Sequence, residues 1–312
     1  MDLNKKLKFT IVIPTRNRSE ILLKSLTNIA RLNFSKSNFE VIIVDNNSTD
    51  DTKKIVYQFI SKNKKIRSNY VFESRIGPSF ARNTGIKKAH NPLIVCIDDD
   101  ILIDKDLLSK FSTLIKKHPD AAVIGGRTFA ISENDKKLKK LLKILLEEDS
   151  WVFSQVNRNE NSVKILNYPD SFLMSACILI NLNQVTGKVF DQKFGREYDS
   201  YYVGAEDIEL CLRLLLKNKK IIYDPSIVAS HLVGKEKLSI KYIRNRFFRA
   251  GIEHRLLDNK FKETGRRLYK FNSRFFCSLL LKFIIKPNMK NYVKLTRETL
   301  FLLGYYFPLA KD

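Results

Sequence analysis

Short apolar runs recur along the first third of the chain. Each is closed by turn-forming residues and followed by a segment whose apolar positions lie three and four apart. The run Phe9-Thr10-Ile11-Val12-Ile13 predicts a strand stopped by Pro14. After the polar turn Thr15-Arg16-Asn17-Arg18, Ser19 and Glu20 open a predicted helix with Leu22, Leu23, Leu26 and Ile29 at helical spacing. Phe39 to Val44 predicts a second strand. It ends in Asp45-Asn46-Asn47-Ser48-Thr49-Asp50, ahead of a helix carrying Ile55, Val56, Phe59 and Ile60. Tyr70-Val71-Phe72 reads as a third strand, Gly77-Pro78 turns into a helix bearing Ala81-Arg82-Asn83 and Gly85, and Leu93 opens a fourth strand. The fourth lacks the alternation of a half-exposed strand, so it is expected to be covered on both faces.

Strand, turn and helix thus alternate four times at about 30-residue spacing, the signature of βαβ units with right-handed connections. The expected fold class is α/β, with a Rossmann-like, mostly parallel sheet flanked by helices. In such sheets ligands sit off the carboxyl ends of the strands. Pro14-Thr15-Arg16, Asp45 and Asp98-Asp99-Asp100 all fall at strand ends, so the fold would gather them in one crevice. Three adjacent carboxylates repel one another unless a cation sits among them, and a divalent metal carrying a phosphorylated ligand meets that need. A solvated Asp-rich turn is the other reading.

Glycine-rich phosphate loops are absent, so a nucleotide here would be held by side chains and metal. Arg16, Arg75 and Arg82 are the cations available for a diphosphate, although each taken singly also reads as a surface charge. Asp45 suits hydrogen bonds from a base or ribose, or a helix N-cap.

Further on, Ala121 to Gly126 predicts a strand, Lys136 to Leu146 a basic amphipathic helix, and Phe172 to Ile180 another strand-like run. Ile208, Cys211, Leu212 and Leu215 trace a helix face, which puts Glu206 and Asp207 at its N-terminal end. Acids there are favoured by the helix dipole; the pair is also a place for a fixed general base, with Asp207 the candidate. Lys220 to Pro225 predicts a short edge strand. His231 closes the apolar run from Val228, as a satisfied histidine or as a ligand of metal or phosphate.

Composition changes the picture in two ways. A chain of 312 residues with 44% hydrophobic content builds a sizeable core, and its formal charge of +23 calls for an anionic partner. That charge is uneven, since Leu232 to Asp312 holds 19 Lys/Arg against 6 Asp/Glu. Cys96, Cys177, Cys211 and Cys277 lie scattered in apolar runs and read as buried thiols of a reducing compartment. The N-terminus shows no signal-peptide pattern, and Phe275 to Ile285 is too short to span a bilayer.

Taken in order, these pieces resemble the inverting family 2 glycosyltransferases of the nucleotide-diphospho-sugar transferase A fold. The residues carrying the resemblance are Val12 to Asn17, Ile43 to Asp50, Gly77 with Ala81 to Gly85, and Ile97 to Asp100. Phe190-Asp191, Gly204 to Leu210, and Tyr223-Asp224-Pro225 through His231 complete the set. Residues 1–235 would form the catalytic domain and 236–312 a basic, mainly helical C-terminal extension.

The resemblance implies roles. Pro14, Thr15, Arg16 and Asp45 would hold the nucleoside, with Arg75, Gly77 and Arg82 near the base or diphosphate. Asp98 and Asp100 correspond to a metal-binding DxD for Mn2+ or Mg2+, with Asp99 beside the ribose and His231 as a further ligand. Asp207 would deprotonate the acceptor hydroxyl, and Glu206, Met174 and Ser175 would line the acceptor side. The only tryptophan, Trp151, is out of place for the Gln-x-x-Arg-Trp motif of processive polymer synthases, so one sugar per encounter is expected. Lys217-Asn218-Lys219 stand where many relatives have a glycine, a departure at the turn after the helix.

The implied partners are a nucleotide-diphosphate sugar and a glycan or lipid-linked acceptor of cell-envelope synthesis. A nucleotidyltransferase on a sugar phosphate, or an inactive nucleotide-sugar-binding scaffold, is the alternative. From Leu238 to Leu257 the chain reads as a basic amphipathic helix, followed by two more apolar stretches flanked by Lys and Arg. Either these helices pack on the catalytic domain or they dock on an anionic membrane surface, the cytoplasmic face of the cell membrane. Nucleic acid is disfavoured, because no binding motif for it appears.

Overall fold

The computed structural model describes residues 7–132, 143, 152, 154–158, 160–167, 173–174, 176–198, 201–264, 273–286 and 289–306. Two compact units divide the chain. The first comprises Met1–Ile131, Ser154–Glu197 and Glu206–Leu232; the second comprises Ser132–Phe153, Tyr198–Ala205 and Val233–Asp312.

In the first unit, β1 (Phe9–Thr15), α1 (Ser19–Ala30), β2 (Phe39–Asp45), α2 (Thr52–Lys62), β3 (Arg67–Phe72), α3 (Pro78–Lys87) and β4 (Leu93–Ile97) alternate as the sequence predicts. Then come β5 (Ile101–Ile103), α4 (Leu107–Lys117), β6 (Ala121–Ser132), β7 (Lys164–Ile165) and β8 (Cys177–Asn181). The short strands β9 (Arg196–Tyr198) and β10 (Tyr201–Val203), the latter assigned to the second unit, precede α5 (Glu206–Leu216) and β11 (Lys220–Val233).

The main sheet runs in the order β3-β2-β1-β4-β8-β6-β11-β5, with β7 added beside β11. From β3 to β4 it is parallel, in the register Phe9 to Phe39 and Phe9 to Leu93. β8 lies antiparallel to β4, β6 antiparallel to β8, and β5 and β7 antiparallel to β11. The sheet is therefore mixed, with a parallel half as expected and an antiparallel half that the apolar runs alone do not distinguish.

Both faces of β1, β2 and β4 are covered, whereas β3 at the edge is largely exposed. Ile11, Ile13, Val41, Ile43, Val95 and Ile97 belong to a core with Leu22, Leu26 and Ile29 of α1, Val56 and Phe59 of α2, and Phe111 of α4. The alternate residues Val12, Ile42, Val44, Ile94 and Cys96 belong to a second core with Ala81 of α3 and Leu210 and Leu214 of α5. This two-sided cover makes the strands continuous apolar runs.

Two local expectations are corrected. β1 continues through Pro14 to Thr15, which is possible because its pairing with β4 ends at Val12 opposite Cys96, before the missing N–H matters on that side. The predicted edge strand from Lys220 is the start of one long interior strand, β11, between β6 and β5. Asp224 turns the chain past Pro225 by accepting the Ser226 N–H (2.8 Å), so the proline interrupts nothing. The predicted helix Lys136 to Leu146 lies outside the described residues apart from Lys143, which is helical.

The second unit contains α6 (Ile240–Lys260), α7 (Ser273–Ile285) and α8 (Met289–Tyr306). Ser239 caps α6 by accepting the Tyr242 N–H (3.2 Å). α6 and α8 cross at Gly251 and Gly304, where a side chain on either would strike the other helix's backbone at Phe301 or Phe248. Tyr305 donates to Asp258 (2.8 Å) across the same crossing. Among the described residues, no helix is long and apolar enough to cross a membrane.

Candidate functional site

Parallel strands end on one side of their sheet, so the loops after β1, β2 and β4 meet. The first two are tied together. Asn17, with a φ of 52°, donates its N–H to Ser48 Oγ (3.0 Å) and accepts the Thr49 N–H at Oδ1 (2.7 Å). Ser19 N–H donates to Asp50 Oδ2 (3.0 Å).

Asp45 is buried at the end of β2. Its Oδ1 accepts the Ser48 N–H (2.9 Å) and its Oδ2 accepts the Tyr70 hydroxyl (2.7 Å). Asp50, which accepts the Thr52 N–H (3.0 Å), serves the start of α2 instead. Burial and the Asp45 carboxylate hold the Tyr70 phenol above its ordinary range.

Asn46 organises the neighbouring loop. It accepts the Gly77 N–H (2.8 Å) and donates to the carbonyls of Glu73 (3.1 Å) and Arg75 (2.7 Å). Gly77 has a φ of 142°, in the region that favours glycine. Arg75 is exposed, forks onto Glu73 (2.9 and 2.8 Å), and lies 4.8 Å over the Phe80 ring. Its hydrogen bonds hold the Glu73 carboxyl down to about 2.

The three acids after β4 are each held by a guanidinium. Arg18 Nη1 donates to Asp99 Oδ1 (3.0 Å) and Asp100 Oδ2 (2.9 Å), and Thr15 Oγ1 donates to Asp99 Oδ2 (2.7 Å). His231 Nε2 lies 3.2 Å from Asp100 Oδ2. Ser25, on the buried face of α1, reaches the carbonyls of Asp99 (2.6 Å) and Ile101 (3.0 Å) and so fixes the backbone of the turn.

Arg82 makes the connection that matters most. Its side chain is only 3% exposed, donates through Nη2 to Asp98 (2.6 Å), and donates through Nη1 to Glu206 (2.6 Å). One planar guanidinium therefore spans from the strand-end acids to the pair that opens α5. Its Nε is buried without a partner, and its charge lies 5.4 Å from the centre of the Phe190 ring. Asn83 holds Phe190 in place through both backbone groups (2.7 and 3.1 Å).

Asp207 follows Glu206 and is buried, with Oδ1 accepting the Ile208 N–H (2.8 Å). Immediately before the pair, Ala205 has a φ of 65°, a left-handed conformation that costs a non-glycine residue about 1–3 kcal/mol.

The electrostatics follow from crowding. Burial pushes the Asp99 carboxyl up to about 6, with Arg18 opposing and Asp100 adding to the rise. Burial pushes Glu206 up to about 7, opposed by Arg82 and reinforced by Asp207. Burial also works against the charge on Arg18 and Arg82, yet their acidic neighbours hold both guanidinia above the ordinary arginine range.

Of the residues singled out from sequence, Pro14, Thr15, Asp45, Arg82, Asp98, Asp99, Asp100, Glu206, Asp207 and His231 lie at this end of the sheet. Arg16 is exposed, and Arg75 serves Glu73. Met174 is half-buried against both cores, and Ser175 lies outside the described residues. Sequence reasoning missed Arg18, Ser25 and Asn46. Ser25 leaves a usable signal, a hydroxyl inside the apolar stripe of α1 between Leu22 and Leu26. Among the described residues, no three His, Cys, Asp or Glu side chains are arranged around a common cation position.

The family model for glycosyl transferase family 2 matches residues 10–181. Over 112 residues the chain is 30% identical to the poly(ribitol-phosphate) beta-N-acetylglucosaminyltransferase TarS of Staphylococcus aureus, covering 36% of this chain and 19% of that protein. A Methanococcus voltae dolichyl N-acetyl-alpha-D-glucosaminyl phosphate 3-beta-D-2,3-diacetamido-2,3-dideoxy-beta-D-glucuronosyltransferase is 24% identical over 71% of this chain and 66% of its own. The chain thus spans about a fifth of the length of TarS. Among solved structures, the mannosyltransferase PcManGT of Pyrobaculum calidifontis, in complex with GDP-Man and Mn2+, superposes with a TM-score of 0.58 at 16% identity. That match covers 96% of this chain and 75% of the other, and it shows a shared fold.

Proposed function

The chain belongs to glycosyl transferase family 2, and we propose that it is a metal-dependent, inverting glycosyltransferase. It moves one sugar from a nucleotide-diphosphate sugar to a hydroxyl acceptor. The observation that carries this reading is the reach of Arg82 from Asp98 to Glu206, because it puts donor-side and acceptor-side groups in one neighbourhood.

Thr15, Asp45 and Asp99 hold the nucleoside, and Arg18 and Arg82 present guanidinium charge to the diphosphate. Asp98, Asp100 and His231 would hold Mn2+ or Mg2+ by their donor chemistry, two carboxylates and an imidazole, once they turn to a common point from their present pairings of Asp98 with Arg82 and Asp100 with Arg18. Such a cation, of the kind present in the PcManGT complex, would neutralise charge on the leaving diphosphate. Asp207 takes the acceptor proton at its carboxylate, a contribution of about 10²–10⁴ in rate. Glu206, pinned by Arg82, orients the acceptor beside it. Attack from the face opposite the diphosphate inverts the anomeric configuration.

The relatives act on poly(ribitol-phosphate) and on a dolichyl-linked sugar, which supports an envelope glycan or lipid-linked acceptor. A cytoplasmic site of action, peripheral to the membrane, goes with that reading. The test is Asp207→Asn with a panel of UDP-, GDP- and dTDP-sugars and manganese. Donor binding by thermal shift stays intact, while release of nucleoside diphosphate is abolished. Unchanged turnover rejects Asp207 as the base, and release of pyrophosphate rejects sugar transfer.

A further inference from the structure

The turn between α7 and α8 carries an apolar surface that the transfer chemistry does not use. Leu281, Ile284 and Ile285 at the end of α7 are 57%, 65% and 80% exposed, and Leu280 and Tyr292 beside them are exposed as well. α7 has an inward side of its own, for Leu279 is buried and Phe283 packs 6.2 Å from the Tyr292 ring. The outward set is a second apolar face.

A side chain ties the two helices together at that face. Asn291 donates to the carbonyls of Lys282 (3.2 Å) and Lys286 (2.9 Å), closing the end of α7 against the start of α8. Lys282 and Lys286 alternate with the apolar side chains and are exposed. From Ser273 to Tyr306 the sequence holds six Lys/Arg and a single acid, Glu298, which is paired with Arg297 (2.9 Å).

We propose that this end of the α7–α8 pair docks on the surface of an anionic lipid bilayer. Leu281, Ile284 and Ile285 enter the boundary between headgroups and acyl chains, and Lys282 and Lys286 meet the lipid phosphates. Charge selects this occupant. A second copy would bring the same positive surface and be repelled, whereas a nucleic acid offers phosphate but no medium for isoleucines.

Co-sedimentation of the full chain with phosphatidylcholine vesicles, with and without phosphatidylglycerol, tests the proposal. The expected result is about tenfold or greater preference for the anionic vesicles, weakening as salt rises. Ile284→Asp with Ile285→Asp lowers that binding by about tenfold or more, and Lys282→Glu with Lys286→Glu does so by a similar factor. Because these positions are exposed, both variants keep the wild-type far-ultraviolet spectrum and nucleotide-sugar affinity. That second readout separates failure of docking from failure of the transfer reading. Equal binding to both vesicle types overturns the proposal. So does binding unaffected by the isoleucine changes, or a wild-type dimer that those changes dissociate without any vesicle binding.

Discussion

A single buried carboxylate and a cluster of them sit at opposite ends of the same parallel strands, and they are neutralised in different ways. At the amino ends, Glu40 is buried, and burial pushes its carboxyl up. Hydrogen bonds from Thr10 Oγ1 (2.6 Å), His90 N–H (2.8 Å) and the His90 ring (2.9 Å) more than offset that, and it lies below its ordinary range. At the carboxyl ends, Asp99 and Glu206 face arginines at 2.6–3.0 Å yet are raised to about 6 and about 7. One lone acid with several hydrogen-bond donors and the Arg67 guanidinium 3.6 Å away is fully satisfied. Five acids, Asp98, Asp99, Asp100, Glu206 and Asp207, are crowded around Arg18, Arg82 and His231; Asp100 and Asp98 add to the rise of Asp99, and Asp207 to that of Glu206. Glu40 ties the amino ends of the strands to their neighbours; the acids at the carboxyl ends repel one another around two arginines.

The largest way to break this contrast is Arg82→Met. Removing the guanidinium leaves Asp98 and buried Glu206 without their partner, so stability falls by about 3–5 kcal/mol in urea unfolding and turnover is lost with it. Glu40→Ala is smaller. It strands neutral donors with access to water at one edge, costs about 1–3 kcal/mol, and leaves donor affinity unchanged.

The pH dependence sharpens the contrast further. Glu206 has its folded pKa raised from an ordinary 4.5 to about 7, so its contribution to stability is full below 4.5 and is lost as pH rises through 7. Glu40 has the opposite sign; its contribution is present above the ordinary glutamate value and is lost only in acid. Glu206→Gln therefore flattens the fall in unfolding midpoint between about pH 5 and 7, while Glu40→Gln leaves that fall in place. The smallest effect belongs to Thr10→Val, which removes one hydrogen bond to Glu40 and costs about 0.5–1.5 kcal/mol by the same unfolding measurement.

Much of this was legible before any coordinates. The strands from Phe9, Phe39 and Leu93 and the helices carrying Leu22, Val56 and Arg82 follow from apolar spacing, because burial on two faces or on one stripe leaves its period in the residues. The acids were legible too, as carboxylates placed straight after a buried strand. What escaped was pairing. Arg18 looks like any turn residue, and Arg75 looks like as good a phosphate ligand, until Asp99 and Glu73 are seen to take one each. β11 read as two short strands because Pro225 breaks the apolar run, although Asp224 accommodates the turn within a continuous strand.

The order of residues by itself therefore determined the elements and which chemistry stands at their ends, since those depend on contacts a few residues apart. Only the tertiary structure decided the strand directions beyond β4, the choice of Arg18 over Arg16, and the joining of Asp98 to Glu206 through Arg82. Those rest on groups far apart in the chain, as Arg18 is from Asp99 by 81 positions and Arg82 from Glu206 by 124, and no local period in the chain records such a distance.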